Sequence, residues 1–416
     1  MLNKEGIREL CYVVKIDAIE PIIGSDNCEA AVVGGWRVMT RKGTFKSGDY
    51  AVYFEIDSKV PEKPEFEFLA KKHYKVKTQK YTFGGKGNFI SQGLLMSFTD
   101  WEDEEGKIPS WLVALNLQRA NNVDITGTFL TKTLGVRYSV VEDNKRKSNT
   151  DKYKRMAQRH WKLFKHNKLI QWLYNKNWGK KLLFFFLGNK QDKKTSFWPD
   201  WVVKTDEERV QNLPQLFPPD NMEWFVTEKV DGTSTTFTMK RGKRNKNEFY
   251  VCSRNVCFDT PEKEDKLFYG SNVYVEMAEK YNAKEVLKNM LDTHLDLAFV
   301  TIQGETYGKS IQKRDYHMNN IDFKAFNLIF GYKDGTTRRL NPREMTNILV
   351  NTYNIPCVPI LDEHFKLPNS IDEMIAYADG KSKIDGEYRE GVVLRTSDGV
   401  NSFKAVSNEY LLKKGE

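Results

Sequence analysis

No stretch of this chain is long and apolar enough to cross a bilayer. The longest uninterrupted apolar run is Leu182 to Leu187, against the roughly 20 residues that a spanning helix needs. No basic region followed by an apolar stretch opens the sequence, so no secretory signal is expected, and the composition points to an intracellular protein, cytoplasmic or nuclear. Cysteine is sparse: Cys11, Cys28, Cys252, Cys257 and Cys357 are scattered and odd in number, with no histidine clusters beside them. Cys252 and Cys257 form the one close pair, and their spacing is not a zinc pattern, which predicts reduced thiols. His294 and His317 are isolated, and there is no internal repeat.

What is present is an ordinary hydrophobic fraction of 40% over 416 residues, enough for two or three domains. Charge is distributed unevenly. Between Lys145 and Lys194 sixteen Lys or Arg stand against two Asp, a net of +14, while the whole chain carries +9 and the remainder therefore −5. The protein is a slightly acidic body with one very basic segment.

Residues 8 to 100 alternate or run apolar in short stretches ("CYVVKIDAIEPI", "EAAVVGGWRVMTRKG", "YAVYFEIDSKVP", "FISQGLLMSF"), broken by Gly-Gly, Lys-Gly and Ser-Gly turns. About five short antiparallel strands predict a small barrel, with an OB-fold as the leading candidate. Residues 145 to 195 lack turn signals and place apolar residues at loosely helical intervals, which predicts a helical insertion. Beyond "FWPDW" the strand pattern returns, with "NVYVEMAEKYNAKEVLKNML" and "NPREMTNILVNTYN" reading as helices, the second opened by Asn-Pro. The expected class is α+β on mainly antiparallel sheets.

One short stretch carries chemistry. "TEKVDGTS" (Thr227 to Ser234) ends an apolar strand on Lys229, followed two residues later by Asp231. An amine attacks only when unprotonated, and free lysine titrates near about 10.4. Burial or a neighbouring cation lowers that value. A strand-end lysine beside an acid able to hold a metal ion therefore suggests a nucleophile with a depressed pKa. Alone, Lys-x-Asp-Gly also describes a surface turn.

Downstream, in order, come "SRN" (Ser253 to Asn255), "IQGETYG" (Ile302 to Gly308), "DFKAFNLIF" (Asp322 to Phe330), "EGVVLR" (Glu390 to Arg395) and "SFKAVSNEYL" (Ser402 to Leu411). The set resembles the ordered motifs of the covalent nucleotidyltransferases: RNA and DNA ligases and capping enzymes. "GGWRVMTRKGTFKSGDYAVYFEIDSKVP", "ISQGLL" and "VKTDEERVQN" sharpen the resemblance to ATP-dependent RNA ligases with an N-terminal OB domain, the group typified by the Deinococcus RNA ligase. It covers roughly residues 8 to 100 and 200 to 413 and leaves out the basic insertion. Twelve residues follow Lys404, too few for the further OB domain of DNA ligases and capping enzymes.

The resemblance implies an OB-like barrel over 1–140, a basic helical insertion or linker over 141–198, and an antiparallel-sheet nucleotidyltransferase (ATP-grasp-like ligase adenylation) domain over 199–416. It implies ATP and Mg²⁺, with Mn²⁺ as a substitute, and RNA with 5′-phosphate and 3′-hydroxyl ends, at nicks or breaks, as substrate. Lys229 would attack the α-phosphorus of ATP. Glu228 would lie near the adenine amino group, Phe326 on the adenine face (the alternative being that Phe326 or Phe323 is simply core), and Glu305 on the ribose hydroxyl. Asp231 and Glu390 would support the metal, directly or through its waters. Arg254 would contact ribose or phosphate and place the RNA 5′ end, Lys404 would neutralise the α-phosphate, and Arg209 could reach the pyrophosphate. The nucleotide pocket is expected wholly within residues 200 to 410. One departure stands out: relatives carry two lysines in the last motif, and Ser402 occupies the first of those positions. Either Lys404 acts alone or another cation such as Arg395 substitutes.

Other activities fit the same motifs: adenylylation of RNA ends without sealing, a preference for DNA nicks, or a ligase-like RNA-binding protein without activity. Retention of Lys229, Asp231, Glu305, Glu390 and Lys404 together argues against the last. The basic segment interleaves its cations with nine aromatics, among them Trp161, Trp172 and Trp178. RNA is the partner its charge favours over an anionic membrane or a mere linker.

Overall fold

The structure, a computed structural model, describes residues 1–4, 7–83, 88–138, 167–187, 198–242, 247–254, 256–258, 272–312 and 314–414. The expected helical positions Tyr153, Met156, Trp161 and Phe164 lie outside them.

The N-terminal part contains β1 (Cys11–Lys15), β2 (Ala18–Pro21), β3 (Cys28–Val33), β4 (Trp36–Arg41), β5 (Tyr50–Phe54), β6 (Ser58–Lys59), β7 (Gln79–Thr82), β8 (Asn88–Ser91), β9 (Leu94–Ser97), α1 (Ser110–Ala120), α2 (Thr131–Leu134) and β10 (Arg137–Tyr138). β1, β5 and β9 form one antiparallel sheet and β2, β3 and β4 another. Successive strand residues point to opposite faces, and both faces of the first sheet are buried. Tyr12, Val14, Ala51 and Tyr53 pack on Ala31, Trp36 and Val38, while Val13, Val52, Phe54 and Met96 pack on Phe66, Leu69, Leu112 and Leu115. This accounts for the nearly continuous apolar run of β5.

A helical pair follows, α3 (Lys168–Tyr174) and α4 (Asn177–Leu187). Asn167 caps the first by accepting from the backbone N–H groups of Leu169 and Ile170. Leu169, Trp172, Trp178 and Leu182 are exposed.

The remainder is built from β11 (Glu208–Arg209), β12 (Glu223–Lys229), β13 (Thr233–Lys240), β14 (Glu248–Ser253), β15 (Cys257–Phe258), α5 (Val273–Lys280), α6 (Ala283–Thr293), β16 (Leu297–Gly308), β17 (Ile321–Tyr332), β18 (Thr337–Arg339), α7 (Pro342–Tyr353), β19 (Ile360–Lys366), α8 (Ile371–Ala378), β20 (Gly391–Thr396), β21 (Ser402–Val406) and α9 (Asn408–Lys414). One sheet runs β15-β14-β13-β16-β17-β18, the other β11-β21-β20-β12-β19, parallel only where β11 meets β21. Helices α5, α6 and α7 cover the larger sheet through Met277, Leu287, Leu291 and Leu349, and α8 covers the smaller through Met374 and Ala378. The architecture is α+β, as expected. The helix read across 272–291 is two helices, because Asn282 takes the left-handed conformation (φ 47°) between them. α7 begins where Asn-Pro predicts, with Asn341 and Glu344 forming a capping box. All five cysteines are free.

Candidate active site

Strand β12 ends on Lys229 at the point where the chain leaves the smaller sheet for the larger. Alternation puts Trp224 and Val226 into the core beneath α8, with Phe225, Thr227 and Lys229 on the other face. Gly232 allows the crossover: a Cβ there would lie 2.3 Å from the Thr306 carbonyl oxygen and 2.9 Å from Glu305 Cγ. This close approach brings Glu305, on β16, beside the lysine. Glu390 directly precedes Gly391, the residue paired with Lys229, and its Oε1 lies 2.6 Å from Lys229 Nζ. The Asp231 backbone N–H donates to the Tyr316 hydroxyl at 2.7 Å.

These acids set the state of the lysine. Burial lowers its pKa, but Glu390 first, then Glu305 and Asp231, outweigh burial and raise it. The depressed pKa expected from the sequence is therefore overturned for the protein alone: the acids around Lys229, Glu390 most of all, hold it as an ammonium. Burial, followed by repulsion from Glu390 and Asp231, pushes Glu305 up to about 8 despite Lys229.

Glu228 is buried, and its carboxylate accepts from the Ser382 hydroxyl at 2.5 Å and the Lys383 N–H at 2.7 Å. This is the carboxylate that the sequence reading assigned to the adenine amino group, and here its partners are protein donors. The tether holds the 382–384 loop, whose Ile384 joins Phe326 against Val230, Tyr307, Tyr316 and Val358. Phe326 thus packs on an apolar cluster that includes Val230, next to Lys229 in the chain, while Phe323 is fully buried core under α5 and α6.

A cluster of cations lies along the same sheet. Lys404 is two strands from β12, in register with Val393, which pairs with Thr227. Its Nζ donates to Asp206 Oδ1 at 2.7 Å. Burial, then Arg8, Arg209 and Lys229, bring its pKa down to about 7 against the pull of Asp206. Arg254 Nη2 reaches Asp206 Oδ2 at 2.8 Å, and Arg8 Nε does so at 3.0 Å. Arg8 comes from outside residues 200 to 410, so the N-terminal part supplies a partner to Asp206. Arg209 turns to the N-terminal part, donating to Asp57 Oδ2 at 2.9 Å with Trp36 beneath it. The expected reach to pyrophosphate is not what this rotamer offers.

Ser402 has its own set of partners. Its hydroxyl donates to Glu207 Oε2 at 2.5 Å and accepts from Arg339 Nη2 at 3.2 Å. Arg395, opposite Ser402 in register, donates to Glu207 Oε1 at 3.1 Å and to the Phe326 carbonyl at 2.9 Å. Burial, then Arg395, bring Arg339 down to about 10. Two arginines and a glutamate thus occupy the surroundings of the position where relatives carry a lysine.

The sequence reading missed Arg8, Asp206, Tyr316 and Arg339. Asp206 lay inside the quoted "VKTDEERVQN", and nothing in its spacing announced that three cations from distant segments converge on it. The same stretch is also the seam between the two parts of the chain. The Gly35 N–H donates to the Gln211 carbonyl at 2.8 Å, and Trp36 Nε1 donates to Asn212 Oδ1 at 2.7 Å. A Cβ on Gly35 would sit 2.7 Å from Gln211 Cα. Glu55, fully buried, gathers the amino terminus, Arg8, Tyr12 and Asn212.

Among the described residues no three His, Cys, Asp or Glu side chains form a preformed metal cage. The acids that act on Lys229 are Glu390, Glu305 and Asp231, and Glu305 is raised by burial first and then by repulsion from Glu390 and Asp231. Mg²⁺ is commonly held by one or two carboxylates, with water and substrate phosphates completing the shell. The residues fit such an ion.

Comparison with known proteins places this arrangement. The RNA ligase family model matches residues 222–406, the span from β12 to β21 that carries Lys229, Asp231, Glu305, Glu390 and Lys404. Over this span the chain is similar to the RNA ligase family, and it is an enzyme. An OB-fold domain model matches residues 10–97, ahead of the ligase domain. Among solved structures, a Naegleria gruberi RNA ligase mutant with ATP and Mn is similar at 25% identity and a TM-score of 0.68, over 98% of this chain and 100% of that one. The Naegleria gruberi RNA ligase with PPi has 26% identity and a TM-score of 0.66, over 99% and 100%. Another mutant of that ligase, with AMP and Mn, has 26% identity and a TM-score of 0.66, over 98% and 99%. No curated protein matches the chain in sequence.

Proposed function

We propose that this chain is an ATP-dependent RNA ligase that joins a 5′-phosphate to a 3′-hydroxyl through lysyl-AMP and RNA-adenylate. It belongs on this reading to the group with an N-terminal OB domain typified by the Deinococcus RNA ligase, acts on nicks or breaks in intracellular RNA, and divides at 1–140, 141–198 and 199–416. The observation that carries the proposal is Lys229 Nζ, 2.6 Å from Glu390, on the sheet face that also presents Lys404.

The Lys229 nitrogen forms a bond to the α-phosphorus of ATP as the bond to pyrophosphate breaks, after its ammonium proton has left. AMP then passes to the RNA 5′-phosphate oxygen, and the 3′-hydroxyl oxygen displaces it to seal the strand. Asp231 and Glu390 are the residues to hold a divalent cation, which supplies positive charge beside Lys229 that favours the free amine and neutralises phosphate oxygens. Lys404 and Arg254 bring positive charge to phosphate groups. Glu305 accepts a ribose hydroxyl, and Phe326 offers its ring to the base in the niche with Val230 and Tyr307.

The test is a sealing assay. With ATP and Mg²⁺ the protein is expected to join RNA strands bearing 5′-phosphate and 3′-hydroxyl at a nick. A 5′-hydroxyl strand should not be joined. Absence of joining at nicks and at single-stranded ends alike would refute the ligase reading.

A further inference from the structure

Asp206 is the meeting point of three cations from three distant segments. Lys404 Nζ lies 2.7 Å from Oδ1 and Arg254 Nη2 2.8 Å from Oδ2, while Arg8 grips both oxygens, Nε at 3.0 Å and Nη2 at 3.3 Å. These contacts differ in kind. The Arg8 pair is bidentate and buried, and the guanidinium is anchored further by Glu55 Oε2 at 3.1 Å and the Glu207 carbonyl at 3.0 Å. A two-point guanidinium–carboxylate pair is strong and fixed in geometry. Lys404 and Arg254 each meet Asp206 through one hydrogen bond, and Arg254 is 45% exposed. Arg8 has Glu55 as a second carboxylate partner, whereas the carboxylate contacts of Lys404 and Arg254 are to Asp206.

We infer that Asp206 is an internal stand-in for a phosphate group: an entering phosphate takes Lys404 and Arg254 from it, while Arg8, from the N-terminal part, keeps it. No covalent bond changes in this exchange. Arg8 is then a positioning residue, because its hold on Asp206 leaves the other two cations free to transfer. The identity of the phosphate rests on the ligase reading and is either the pyrophosphate portion of the nucleotide or the 5′-phosphate of RNA.

The full-length protein is titrated calorimetrically with inorganic pyrophosphate, and separately with RNA oligonucleotides bearing a 5′-phosphate or a 5′-hydroxyl. Mildly acidic pH keeps Lys404 protonated throughout. Asp206→Asn removes the competing anion while Glu55 still holds Arg8, and should tighten binding of one phosphate probe roughly tenfold, the scale of a charge-assisted hydrogen bond. Arg8→Gln should weaken the same probe, because the released carboxylate then binds Lys404 and Arg254 alone. The double variant should return to wild-type affinity or better. Tightening confined to pyrophosphate names the nucleotide as the source; tightening confined to the 5′-phosphorylated oligonucleotide names RNA. A merely structural cluster predicts weakening in both single variants and no rescue in the double, which would overturn the inference. Should Asp206→Asn not fold, crystal structures of the wild type with each probe decide. The inference requires the Lys404–Asp206 contact to open in one of them, and its survival in both refutes it. These measurements need no turnover, so a wild type that binds phosphate yet forms no lysyl-AMP would count against the ligase reading alone.

Discussion

Lys229 leaves its strand as an ammonium, yet its attack needs a free amine, and the residues that hold the proton are the acids that surround it. Glu305 is the most informative of them. Its folded pKa of about 8 lies above the ordinary value of 4.5, so the folded state binds a proton that the unfolded chain has released. Stability then falls as pH rises from about 4.5 to 8. Glu305→Gln should be near neutral at pH about 5 and stabilising by about 1–3 kcal/mol above pH about 8, read by denaturant unfolding at the two pH values. Equal effects at both would show that Glu305 is not held in the raised state. Ser402 offers a second test. Between Glu207, Arg339 and Arg395 it has no need of a charge of its own. Ser402→Lys should lower adenylate formation by about tenfold or more, about 1.4 kcal/mol of barrier, through repulsion from both arginines. Undiminished adenylation would mean that the position still admits the lysine of its relatives.

At the scale of elements, the segment 206–212 works in two directions. Asp206 and Glu207 hold the cations Arg8, Arg254, Lys404, Arg339 and Arg395, while Arg209, Gln211 and Asn212 fasten the OB-fold part. Glu55 is the buried centre of that seam. Burial raises its pKa, but the amino terminus, Arg8 and Arg209 outweigh burial and bring it to about 2 from 4.5. A depressed carboxylate contributes stability that is present above its unfolded pKa and lost as pH falls through the folded one. The window is therefore between about 4.5 and 2, and the contribution is on the order of 3 kcal/mol. Glu55→Gln should flatten that acid limb in thermal unfolding; an unchanged limb would detach Glu55 from the seam. Much of this architecture was legible in the sequence. The strands around Lys229, Glu305, Glu390 and Lys404 announced themselves because alternation and motif coincide there. "GGW", "ISQG" and "EERVQN" were legible only as separate motifs, since which side chains meet across 176 residues, as Trp36 and Asn212 do, is set by tertiary packing. The lysine's charge state was misjudged because no local pattern reveals how many acids converge on it.

For the whole molecule, the unevenness of charge matters more than its total. No helix among the described residues is long and apolar enough to cross a membrane. The residues outside Lys145 to Lys194 carry a net negative charge, so the attraction for a polyanionic partner is expected from that segment. Replacing residues 146–194 by a short flexible bridge should spare lysine adenylation, weaken RNA binding at low salt and flatten its salt dependence. The slope is about 0.9 per phosphate contact on duplex DNA and about 0.7 on single strands. A filter-binding salt series reads the slope directly, and an unchanged slope would remove RNA as the partner of the segment.

The central claim is that Lys229 is the nucleophile, and one measurement addresses it without an RNA substrate. The protein is incubated with α-labelled ATP and Mg²⁺, denatured, digested and mapped by mass spectrometry. AMP is expected on the peptide containing Lys229, reversed by added pyrophosphate and absent from Lys229→Ala. Label retained by Lys229→Ala, or carried by another residue in the wild type, would contradict it.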